Sequence, residues 1–145
     1  MTASTSTATK TAAYPFGGRP SHRPAFEAFW LLRIGFTVAP IVFGLDKFAH
    51  VLVDWDRYLA PEFSDLLGVG AHTLMYVVGV VEIVAGLVVA FRPRVGGYLV
   101  AAWLAGIIFN LLLMADHYDI ALRDFGLLLG AVALTRLATD FATER

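Results

Sequence analysis

The stretch LMYVVGVVEIVAGLVVAF, Leu74 to Phe91, decides how this chain must be read. Glu82 is its single charged residue, and apolar side chains recur all round it with no polar stripe at the helical period. As a helix its length approaches the ~30 Å of a bilayer's hydrocarbon core. A second stretch, VGGYLVAAWLAGIIFNLLLMA (Val95 to Ala115), has the same character. Neither leaves a face for water.

Working outward, two further apolar segments complete the pattern. The spans expected are about 25–51, 69–91, 95–115 and 120–137, with Pro40 a kink inside the first. Residues 1–24 are rich in Ser, Thr, Ala, Pro and Gly and read as a disordered tail without the apolar core of a signal peptide. Residues 25–138 form one transmembrane domain, and 139–145 a short C-terminal tail. Composition agrees: the 145 residues are 58% hydrophobic and 16% charged, with mean hydropathy +0.69. The expected fold class is all-α, an integral membrane antiparallel four-helix bundle with short connections.

Charge sets the expected orientation. Lys10, Arg19, Arg23, Arg92, Arg94, Arg136 and Arg145 fall on one side of the spans. Arg57 and Arg123 fall on the other, with Lys47 near that edge, together with Asp54, Asp56, Glu62, Asp65, Asp116, Asp119 and Asp124. Both termini are therefore expected in the cytoplasm of a multi-pass cell-membrane protein. RPR (Arg92 to Arg94) reads as a tight inner turn. DHYD (Asp116 to Asp119) reads as a tight outer turn with Asp119 as the N-cap of the last helix. The longer outer loop, Leu52 to Gly68, is expected to carry a short interfacial helix. Trp30, Trp55, Tyr58 and Tyr118 read as interfacial belt residues. Gly126 and Gly130 form a GxxxG that permits close helix contact.

The absence of cysteine excludes disulfides, thiolate metal sites and thiol redox chemistry. A net charge of −1 gives no footprint for nucleic acid. The lipid bilayer is the expected partner, and the sequence assigns no oligomeric state. The residues that carry chemistry are the polar ones inside the spans, where charge is costly. Arg33 and Glu82 are placed at a similar depth, roughly 10–15 Å above the cytoplasmic edge, and are expected to form an intramembrane ion pair. FGLDKFAHVLVDW (Phe43 to Trp55) adds Asp46, Lys47 and His50 at the outer end of the first helix, where His72, Asn110 and His117 also lie. Asp46, Lys47, His50, Asn110 and His117 are the candidate ligand pocket; the competing reading is plain solvation of helix ends. No catalytic residue is identified. Two histidines and two aspartates on different helices match no metal-spacing motif, so no metal site is assigned.

These residues carry a resemblance. LLRIGF (Arg33, Gly35), FGLDKF (Gly44, Lys47) and VVEIVAGLVVAFRPRVGG (Glu82, Gly86, Arg94) resemble the pattern of the DoxX-like family of small four-helix membrane proteins, over about Phe26 to Leu137. That family is named for a subunit of an archaeal thiosulfate:quinone oxidoreductase, and other members are linked to redox and oxidative-stress partners. The resemblance implies a redox-associated membrane subunit that binds quinone or anchors a partner oxidoreductase, membrane-bound or peripheral. A non-catalytic scaffold or assembly factor is the alternative, and a small proton-coupled transporter the third. With four spans and no thiol, the chain is not expected to oxidise sulfur by itself. DKFAH and ADHYD go beyond the family pattern.

Overall fold

The computed structural model describes residues 22–143, and all regular structure among them is helical. Five α-helices follow in order: α1 (His22–Ala49), α2 (Pro61–Leu67), α3 (Ala71–Phe91), α4 (Pro93–Leu113) and α5 (Tyr118–Thr143). A 3₁₀ turn, Trp55–Tyr58, precedes α2. The expected tail largely lies outside the described residues, except that α1 starts at His22, inside it. At the other end α5 continues past Leu137 to Thr143, into the expected C-terminal tail.

Each boundary has a local cause. The helix α1 runs on through Pro40 and stops where His50 adopts a left-handed backbone, φ 51°. A single residue, Arg92, links α3 to α4, because Pro93 takes the first helical position, where a missing N–H costs nothing. The loop from Leu52 to Gly68 does contain a short helix, α2, opened by Pro61 and closed by Gly68 at φ 66°. Asp119 is not the N-cap of the last helix: α5 begins at Tyr118 and places Asp119 inside its first turn, where an acid still complements the helix dipole.

The long helices pack α1 on α3, α3 on α4, α4 on α5, and α5 back on α1. One end of the assembly gathers Arg23, Arg92, Arg94 and Arg136; the other gathers the acidic loop and the turn before α5. At the basic end Phe29, Val89, Val100, Leu104, Ala131 and Leu134 form the buried core. Three helices are long and apolar enough to cross a membrane: Arg23–Ala49, Ala71–Phe91 and Pro93–Leu113. They present large apolar side chains outward, Leu31 at 73% exposed and Phe91 at 81% among them. A water-soluble domain rarely shows so extensive an apolar surface, and these helices point to a membrane protein. The helix α5 is long enough but carries Asp119, Arg123 and Asp124 toward its start and Arg136 and Asp140 toward its end.

Candidate functional site

Helices approach closely on the α1–α3 seam. A Cβ on Gly44 would stand 2.6 Å from the Gly79 carbonyl oxygen, and one on Gly79 would stand 2.8 Å from that of Gly44. Two turns along, a Cβ on Gly86 would meet the Thr37 carbonyl oxygen at 2.7 Å. The backbones touch because these positions have no side chain.

Just beyond this contact sits a buried charge cluster. Lys47 Nζ donates to Glu82 Oε2 at 2.7 Å, and the two residues are 3% and 8% exposed. The same ammonium lies 3.8 Å from the centre of the Trp55 ring. The Trp55 indole N–H in turn donates to Asp46 Oδ2 at 2.7 Å. Asp46, itself 6% exposed, accepts through Oδ1 from the backbone N–H groups of Val51 at 3.1 Å and Leu52 at 3.0 Å. Adjacent residues on α1 thus do different work. Lys47 ties α1 to α3, and Asp46 ties the end of α1 to the loop that follows.

The expected Arg33–Glu82 pair does not form; Glu82 is taken by Lys47. Arg33 Nη2 donates to the Ala90 carbonyl, and its guanidinium lies 4.9 Å from the Trp30 ring centre. The cause is register. Arg33 sits beside Ala90 and Gly44 beside Gly79, so α1 overhangs α3 at the basic end. From Ala90 back to Glu82 is about 12 Å of helix, which puts Glu82 beyond the reach of Arg33.

Asn110 is occupied as well. Its Nδ2 donates to the Tyr58 carbonyl at 2.6 Å and its Oδ1 accepts from the Ala60 N–H at 2.9 Å. With Ala60 fully buried, this side-chain amide replaces the backbone partners that a loop crossing a helix end would otherwise lack. The segment from Val51 to Ala60 is therefore a strap across the acidic end, held by Asp46 on one side and Asn110 on the other.

The two histidines of the expected pocket part company. His50 stacks on His72, ring centres 5.0 Å apart, whereas His117 packs edge-on against Tyr58 at 5.2 Å. The His117 Nδ1 is buried without a hydrogen-bond partner. Of the five candidate residues, Asp46, Lys47 and Asn110 are thus engaged in intramolecular bonds, and the remaining two belong to different clusters. Sequence reading missed Trp55 as the link between Asp46 and Lys47 and took it for a belt residue. The indole on a short loop after a buried carboxylate was the one available signal.

No family model, curated protein or solved structure matches the chain. The class that the fold defines is an all-helical protein with three helices fit to span a membrane, cross-braced at one end by a buried Lys–Glu pair and a loop strap.

Proposed function

We propose that this chain is a DoxX-like, four-span integral protein of the cell membrane, with both termini in the cytoplasm, that anchors a partner oxidoreductase and performs no catalysis of its own. The observation that carries the reading is the commitment of Asp46, Lys47, Glu82 and Asn110 to bonds within the chain. Each of the four makes a contact that holds helices or the strap together. The family-like pieces support it in the same sense. Gly44, Lys47, Glu82 and Gly86 all lie on the α1–α3 seam, where they hold two helices together. The fourth span is α5, which packs along α4 and against α1 and so shares their depth. Its charges fall toward its two ends, where arginine can snorkel. The positive residues of the basic end argue for a cytoplasmic face there. The redox character of the partner rests on the family resemblance alone.

A second reading, quinone binding, keeps one observation in its favour: the buried, unpartnered His117 Nδ1 beside Tyr58. A quinone carbonyl at that position would accept from His117 rather than from Lys47. The test is extraction of the chain in native lipid, followed by quinone analysis of the complex and of the isolated chain. The anchor reading expects a redox-cofactor-bearing subunit in fixed stoichiometry and no quinone retained by the isolated chain. One quinone per isolated chain, lost in His117→Ala, would replace it with the second reading.

A further inference from the structure

Outside the buried network, three ligand-type side chains meet at the acidic end. His50 from the end of α1, Asp56 from the strap and His72 from the first turn of α3 each offer an atom, and these atoms all lie within 4.8 Å of one another. We propose that His50, Asp56 and His72 bind one zinc-class divalent transition-metal ion.

The donor set is two imidazoles and one carboxylate, which suits a borderline ion and leaves a fourth position for water. In a tetrahedral site with bonds of ~2.0–2.2 Å, neighbouring donors stand about 3.4 Å apart. His72 Nδ1 and Asp56 Oδ2 are already 3.0 Å apart. His50 and His72 are both solvent-exposed, so rotation of their side chains closes the remaining gap.

Three further observations point the same way. His50 holds a left-handed backbone at φ 51°, unusual for a residue with a Cβ, and this turns its ring onto that of His72. Asp56 Oδ1 is buried and has no hydrogen-bond partner. His72 Nε2 is 2.8 Å from the Tyr76 hydroxyl. With Nδ1 on the metal, Nε2 carries the proton and donates to that oxygen, the outer-shell contact that fixes a ligating imidazole. The ion would clip the strap to the ends of two long helices, a link independent of Asp46 and Asn110.

The test is titration of the full chain, purified without a histidine tag in lipid nanodiscs, with Zn²⁺ against a chromophoric chelator. The expected result is one ion per chain, with affinity lowered at least ~10-fold by His72→Gln and by Asp56→Asn. His50→Asn serves for the third ligand because asparagine tolerates the left-handed backbone; it should lose affinity equally. Tyr76→Phe should lose less, and His117→Ala should bind as the parent does. Circular dichroism of each variant separates lost ligands from lost fold. Absence of stoichiometric binding, or binding that survives both His50→Asn and His72→Gln, overturns the proposal.

Discussion

Lys47 is held between a carboxylate 2.7 Å away and the face of an indole, at a depth where neither partner has water to fall back on. Removing one member strands the other. The expected loss for Lys47→Met or Glu82→Gln lies between the ~0.6 kcal/mol average of interhelical hydrogen bonds in bilayers and the ~3–5 kcal/mol of broken buried pairs in soluble proteins. In a double-mutant cycle followed by unfolding in mixed detergent, the double variant should recover part of the loss; strictly additive losses would show that the pair is not coupled. Arg33→Gln should leave that coupling unchanged, since Arg33 is bound to the Ala90 carbonyl. At this scale the sequence shows which residues are expensive but not who satisfies them. The burial of Glu82 in an apolar run is plain to read, whereas Lys47 was expected at the outer end of its helix, in a polar pocket or solvated, and is 3% exposed. Their pairing depends on an overhang between α1 and α3 that no spacing within either helix encodes.

Two elements depend on contacts that single substitutions can address. On α1, Gly44 is in backbone contact with α3, while a Cβ on Gly35 would meet nothing within 4 Å. Gly44→Ala should destabilise by about 1–3 kcal/mol through overpacking. Gly35→Ala should be neutral or stabilise by up to ~1 kcal/mol through helix propensity. Equal effects of the two in the same unfolding assay would place the seam elsewhere. In the strap, Asn110→Leu removes the partners of the Tyr58 carbonyl and the Ala60 N–H. Ala60 is buried, and leaving its N–H unsatisfied costs about 1–3 kcal/mol. Hydrogen exchange over 55–60 should then accelerate while that of α3 stays slow; unchanged exchange would mean that the strap is held without Asn110. The three apolar helices and the short helix α2 were legible because hydrophobic runs and a Pro–Gly frame mark them directly. The strap was not. Its anchors lie on α1 and α4, and an asparagine in an apolar helix announces only that some polar partner exists.

For the whole molecule, the number of crossings decides on which side the C-terminus lies. Length and composition pick out α1, α3 and α4. In α5 the charge-free run from Phe125 to Thr135 covers only about 16 Å, well short of the hydrocarbon thickness. Packing along α4 nevertheless argues that α5 crosses with it. A three-span chain would leave its C-terminus on the side of the acidic strap; a four-span chain returns it to the side of Arg92. The natural chain has no cysteine, so single cysteines report sidedness without background. The measurement is labelling of Glu62→Cys, Arg94→Cys and Asp140→Cys with a membrane-impermeant maleimide, in intact and permeabilised cells. The four-span anchor predicts that Glu62→Cys labels in intact cells and that Arg94→Cys and Asp140→Cys label only after permeabilisation. Labelling of Asp140→Cys in intact cells, with Arg94→Cys still protected, would contradict it.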